Sequence, residues 1–270
     1  MSDAPDYGRL ALAGPYFALD VAAAPGQGPP PGFRPLREFY APGPDGPLAD
    51  RVREVARRLG TAEPRVAASI LHLGLAARFC SVGLGAAVLL GEVPELDPDR
   101  AWVRVPEQGP VDLWMPSGPA RADRGSLVDR FHRTVVEGQL VVLEAAVRAV
   151  VPLSDGLLRG NTASALAGAL RMLDAHTAEH ATARTCPPPE ATSPPHGPAR
   201  ARSLVAQVLD RPPLAGSGTL IATRVPGIPG HPDALGGTAF RRTSCCLYYR
   251  VGPQAGVCGD CCFTRPPRRP

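Results

Sequence analysis

From Leu48 to Ala175 the chain is dominated by apolar residues at helical spacing. Leu48, Val52, Val55 and Leu59 form one face of a predicted helix, opposed by Arg51, Arg53 and Arg57, and Gly60 supplies its end. Arg65–Cys80 is apolar almost all round, which predicts a central, buried helix. Leu84–Leu90 extends it after an expected break near Gly83. Ala101–Val105 and Val111–Met115 flank Pro106–Pro110 and predict a β-hairpin. Ser126 is the expected N-cap of a long helix ending near Val150. Its expected apolar face carries Val128, Phe131, Val135, Val142, Ala146 and Ala149, with Arg130, Arg133, Glu137, Glu144 and Arg148 opposite. Thr162–Ala175 predicts a further helix, with Asn161 as its N-cap after a Gly160 turn.

The pattern changes at both ends. The first 45 residues alternate short apolar runs with Pro/Gly stretches, and wrap a core more than they form one. Six prolines fall in Thr185–Pro198, which predicts a linker or long surface loop. A short helix over Ala199–Leu209 and a strand over Gly216–Thr223 follow. The expected fold class is mainly α with minor β (α+β). A helical domain spans 1–184, the linker 185–198, and a C-terminal segment 199–270 carries a small Cys-rich module.

Composition narrows the function classes. Hydrophobic residues make up 44% and charged residues 20%, enough apolar material for a sizeable core. All 29 basic residues are Arg, a compositional bias that weakens Arg abundance as functional evidence. A net charge of +4, with no basic, aromatic-studded surface, gives no case for nucleic acid. The acidic start, with Asp3 and Asp6, does not read as a secretory signal. No uninterrupted apolar run reaches the roughly 18 residues of a membrane span, so the expectation is a cytoplasmic protein without a transmembrane segment.

Seven cysteines occur, and Cys245, Cys246, Cys258, Cys261 and Cys262 fall in the closing segment. An odd count in a chain read as cytoplasmic argues against a disulfide framework. Cys80 lies in the buried helix and reads as a small core residue; Cys186, in the Pro-rich stretch, receives no role. The motif over 241–263 has an adjacent pair, eleven intervening residues and a C-x-x-C. Four thiolates satisfy either a [2Fe–2S] cluster, two per iron, or one tetrahedral zinc. Zinc knuckles separate their cysteines by a spacer that lets both sulfurs turn to one ion, and the adjacent pair suits that poorly. Two irons relax the demand. Gly252, Pro253 and Gly256 supply a turn between the pairs, and Gly259 allows close backbone approach.

The text Arg242-Thr-Ser-Cys-Cys-Leu-Tyr-Tyr-Arg250, followed by Cys258-Gly-Asp-Cys261, resembles the signature of the FhuF-like ferric-siderophore reductases. That family carries a C-terminal C-C-x₁₀-C-x₂-C segment. The resemblance implies a [2Fe–2S] cluster on Cys245, Cys246, Cys258 and Cys261, with Arg242, Tyr248, Tyr249, Arg250 and Gly259 around it. It also implies one-electron reduction of a ferric siderophore, fed by a ferredoxin-like or flavin-dependent donor. The tyrosines are expected to shield the cluster from water, and Arg241, Arg242 and Arg250 to surround it with positive charge opposed only by Asp260. Two departures stand out: the spacer is one residue longer, and Cys262 is a rival to Cys261. Gly160-Asn161 is similar to a Gly-Asn helix start in the same family, where a substrate contact is the alternative to the N-cap.

Two other readings compete. His176-x-x-Glu179-His180 matches the inverted zinc-peptidase pattern, but it sits where a helix enters the linker and Glu190 is the only later glutamate, so a chance match is the preferred reading. His72 reads as a satisfied core histidine rather than a ligand. A zinc-binding, non-enzymatic interaction module with a basic C-terminal tail is the alternative function.

Overall fold

The computed structural model describes residues 5–117, 125–183, 198–223, 237–252 and 254–267. A 3₁₀ turn at Tyr7–Ala13 leads into β1 (Asp20–Val21) and β2 (Arg34–Pro35). Then come α1 (Leu36–Phe39), α2 (Pro47–Leu59) and α3 (Pro64–Leu89). The predicted hairpin is present as β3 (Trp102–Arg104) and β4 (Asp112–Met115), paired antiparallel. It sits inside a four-stranded sheet of order β1-β4-β3-β2, with β1 parallel to β4. Helix α4 (Leu127–Phe131), a π-helical segment (His132–Leu140) and α5 (Val141–Val150) run on without interruption. They are followed by α6 (Asp155–Ala183), α7 (Pro198–Leu209), and an antiparallel pair, β5 (Gly218–Thr223) with β6 (Gly237–Arg242). The α+β class holds.

Local signals place the helix ends. Gly60 caps α2 in the left-handed region at φ 62°, where a side chain would be strained. Ser126 caps α4 through a capping box with Asp129. The hydrophobic core is one continuous cluster from Leu10 to Phe240, and it includes Ala201, Leu204, Val205 and Val208 of α7. By composition and length α3 would cross a membrane, yet 78% of its most apolar stretch is buried inside this fold. It is the central helix, wrapped by α2, α6 and the N-terminal turn. Cys80 on it is fully buried, as expected, and burial pushes its thiol pKa up. Arg78, also buried, is held by the carbonyls of Val111 at 2.8 Å and Tyr16 at 2.6 Å, tying α3 to the segments that lead into β4 and β1.

Three expectations need correction. The break near Gly83 is absent: α3 is unbroken from Pro64 to Leu89. Glycine is needed there for space, because a Cβ on Gly83 would stand 2.6 Å from Val135 Cγ2 and 3.1 Å from Phe131 Cε2. Second, the apolar face of the long helix does not continue through Val142 and Ala149. A π turn carries more residues than an α turn, so the segment slips the phase of everything after it. Leu143, Glu144 and Val147 face inward, while Val141 and Val142 are exposed. Third, α6 starts at Asp155, so Asn161 lies within it and is not an N-cap. The predicted linker lies almost wholly outside the described residues.

The glycine pair on α3 tests the close approach. Gly74 is exposed, and a Cβ there meets nothing within 4 Å. Gly74→Ala is expected to stabilise by up to ~1 kcal/mol through helix propensity. Gly83→Ala gains the same propensity but overpacks the crossing, at roughly 1–3 kcal/mol. Its thermal midpoint should therefore fall below wild type while that of Gly74→Ala does not. Equal midpoints for the two variants would mean that α3 and the π-helical segment are not in close contact.

Candidate metal centre

The cysteine segment is seated on the helical core before its first cysteine. Strand β6 ends at Arg242, whose side chain is buried at 2% exposure between β6 and α6. Its Nη2 donates to Asn161 Oδ1 at 2.7 Å and to the Leu157 carbonyl at 3.2 Å. Asn161 in turn donates through Nδ2 to the Ser69 carbonyl on α3 at 2.9 Å, and the Ser69 hydroxyl donates to the Cys246 carbonyl at 2.7 Å. A chain of hydrogen bonds thus runs from α6 through α3 to the backbone of the cysteine pair. Gly160 makes room for it, since a Cβ there would lie 2.3 Å from Ser244 Oγ and 3.0 Å from Arg242 Nη2. Ser244 Oγ donates to the Gly156 carbonyl at 2.6 Å, and Thr243 Oγ1 to the Gly216 carbonyl at 2.9 Å.

The second pair of cysteines is held from the other side. The Arg242 amide donates to the Asp260 carbonyl at 3.0 Å, closing the C-x-x-C turn onto β6. The Asp260 carboxylate accepts from Ser164 Oγ and pairs with Arg171 at 3.2 Å, both on α6. Within the turn the Cys261 amide donates to the Cys258 carbonyl at 3.1 Å.

These anchors bring one cysteine of each pair together. Cys246 Sγ lies 3.4 Å from Cys258 Sγ, and Cys245 is hydrogen-bonded to Cys246. Cys262 is hydrogen-bonded to Cys261 at the edge of the group. Cys246 is the thiol of this group most disposed to ionise. Its pKa is lowered first by hydrogen bonds from the Cys245 and Cys258 thiols, then by the Tyr248 amide and by the positive charge of Arg242. Leu247, at φ 66°, is the one non-glycine residue in the left-handed region among the described residues. That turn aims its amide at Cys245 Sγ, 3.2 Å away, and the Phe263 amide points to Cys261 Sγ at 3.4 Å.

Among the described residues no group of three or more His, Cys, Asp and Glu side chains is preset around a single ion. The donor set nevertheless suits a thiolate-held iron–sulfur group on three counts. Two thiolates on one tetrahedral metal, with bonds of ~2.3 Å, stand about 3.8 Å apart, and the Cys246–Cys258 contact is near that separation at 3.4 Å. Backbone N–H groups already point at two of the sulfurs. Finally, Arg242 Nε and Nη1 are buried without a hydrogen-bond partner among the described residues, beside a sulfur that the guanidinium charge favours as a thiolate.

Other predicted residues are placed differently. Arg250 forms an ion pair with Glu63, just before α3, with Nε 2.8 Å from Oε2, so Asp260 is not the lone carboxylate near the motif. Tyr249 stacks edge-on against Phe263 at 6.2 Å, while Tyr248 is 40% exposed. Gly259 is exposed, and a Cβ there meets nothing within 4 Å. His72 is fully buried, as expected, but neither ring nitrogen has a hydrogen-bond partner among the described residues; burial, then the charge of Arg242, lowers its pKa to about 3, so it is neutral. His176 lies on α6, but the side chains of Glu179 and His180 fall outside the described residues, as does Cys186. Asn161 is neither N-cap nor surface contact but the buried acceptor for Arg242. Ser69, Ser164 and Arg171 were not legible as site residues, since only contacts made across more than 80 residues of chain define their roles.

A helical core whose C-terminal segment is rich in cysteine, with Cys246 and Cys258 in contact, fits the general class of iron–sulfur proteins. Residues 242–263 match the family model of the FhuF 2Fe-2S C-terminal domain, and this supports an FhuF-like assignment and an iron–sulfur cofactor at the cysteines. No curated protein and no solved structure matches the chain at a significant level.

The Arg242–Asn161 contact can be weighed directly. Removing the acceptor from a buried, charged donor costs on the order of 3 kcal/mol. Asn161→Ala should lower the denaturation free energy by about that much, and Asn161→Ala in an Arg242→Met background by far less. Equal losses in the two backgrounds would show that the pair is not coupled.

Proposed function

We propose that the chain is a ferric-siderophore reductase, acting in the cytoplasm where an imported chelate must be unloaded. The observation that supports this reading is the contact of Cys246 with Cys258, within the matched segment and on a core-anchored site that also carries Cys245 and Cys261. A [2Fe–2S] cluster on these four thiolates supplies a one-electron carrier, with a ferredoxin-like or flavin-dependent reductase as the donor class. Siderophore-bound Fe(III) gains one electron and becomes Fe(II). The hard, anionic oxygen cage holds Fe(II) far more weakly, so the metal leaves without any covalent bond of the siderophore being cut.

The protein's own residues do the rest. Arg242 sets a fixed positive charge beneath the thiolates, offsetting the cost of gathering negative charge at a half-buried site. The Leu247 and Phe263 amides donate to Cys245 and Cys261 sulfurs, which favours the more electron-rich state. Tyr249 and Phe263 form apolar cover beside the motif. Arg241 and Arg265 are exposed near it, and steer an acidic donor toward this face. Cys262, hydrogen-bonded to Cys261, is assigned no ligand role, because C-x-x-C is the spacing that turns both sulfurs inward.

Anaerobic stopped-flow mixing of the reduced protein with ferric siderophores tests the reading. The visible spectrum should return to its oxidised form as a ferrous chelator traps Fe(II). Cys262→Ser should react as wild type does, whereas Cys261→Ser should have lost or altered the chromophore. A wild-type protein that stays reduced with every ferric siderophore, yet is oxidised by ferricyanide, would end the reductase reading. A bleached Cys262→Ser beside an unchanged Cys261→Ser would move the fourth ligand to Cys262.

A further inference from the structure

A groove between α3 and α6 opens beside the cysteine segment, with Cys258 in its lining. It has a volume of about 530 Å³, within the ~300–1,000 Å³ of small-molecule sites. One wall is α3, through Leu73 and Ala77; the other is α6, through Ala165, Gly168 and Met172. The turn Cys258–Asp260 closes one end. Small residues at facing positions keep the two helices' side chains from filling the space between them. The lining is apolar, and the charged side chains in it are Arg171 and Asp260, which pair with each other at 3.2 Å. The groove therefore has no net charge to offer, and would hold a ligand by shape and apolar contact. Cys258, whose sulfur lies 3.4 Å from that of Cys246, is part of its lining.

We infer that this α3–α6 groove seats the ferric chelate, with the apolar face of the siderophore against Ala77, Ala165 and Gly168 and its iron turned toward Cys258. The inference rests on the reductase reading for its occupant and adds the place where that occupant binds. Contact with Cys258 puts the acceptor iron next to the thiol centre, so the electron needs no intervening protein. Gly168 is the position that sets how deep the chelate sits. It is half-buried in α6, and a Cβ there meets only Arg171 Nη2 at 3.7 Å, an ordinary contact. A longer side chain on Gly168 thus enters the groove rather than the core.

The test uses the gallium(III) complex of desferriferrichrome, a redox-inert analogue of a ferric trihydroxamate, titrated calorimetrically into the full-length, oxidised holoprotein. Wild type should bind it. Gly168→Leu and Ala77→Leu, which fill the groove from opposite walls, should each weaken binding at least tenfold. The visible spectrum of each variant should stay that of wild type, showing that the metal centre is intact. Wild-type affinity in both variants, or no binding to wild type, would overturn the seat. The two readings separate cleanly in stopped flow. If ferric ferrichrome oxidises the reduced protein while the gallium complex ignores the groove substitutions, the reductase reading stands and the seat does not. If the gallium complex binds in the groove and the ferric form never oxidises the protein, the seat stands and the reductase reading fails.

Discussion

The hydrogen bonds from the buried Arg242 guanidinium to Asn161 and the Leu157 carbonyl tie the metal-binding segment to the rest of the molecule. A guanidinium is costly to bury, and two neutral acceptors offset only part of that cost. The remaining donors, Nε and Nη1, lie beside the cysteine segment and have no partner among the described residues. A thiolate centre, with its negative charge, completes the balance. In this account the cation that anchors the cysteine segment is also the one that stabilises what the cysteines hold. Folding and cofactor retention are coupled through one side chain, as is common where ligands gather only in the folded state.

That coupling explains features that otherwise look unrelated. Gly160 is small because Arg242 and Ser244 occupy the space beside it. Asn161 is buried within a helix, where its amide spans both partners: Oδ1 faces Arg242 and Nδ2 faces Ser69 of α3. Ser69 passes the contact on to the Cys246 carbonyl. On the far side Asp260 performs the parallel task, gripped by Ser164 and Arg171. Helix α6 therefore holds both cysteine pairs, and α3, packed along it, forms the opposite wall of the groove. His72 remains as a buried neutral imidazole with no partner among the described residues, close to Arg242; it adds no competing charge there.

What could be read from the sequence follows how local each cause is. The end of α2 at Gly60 and the Ser126 cap are set within a few residues, and both are found where expected. The cysteines and their family signature lie within one short stretch. Gly83 misleads because glycine inside a helical pattern signals either a break or a close neighbour, and the neighbour, Val135, is far away in the chain. The π-helical segment has no distinct periodicity in nine residues, so the phase slip that buries Glu144 and exposes Val142 is hidden. Asn161 after Gly160 reads as a helix start by local rules, and only a partner 81 residues onward gives it its actual role.

The central claim is that Cys245, Cys246, Cys258 and Cys261 hold a two-iron, two-sulfide centre on this core. Iron, zinc and acid-labile sulfide measured in protein purified without oxygen test it most directly. The account predicts about two irons and two sulfides per chain with negligible zinc. One zinc per chain with no sulfide, in a colourless protein, would contradict it.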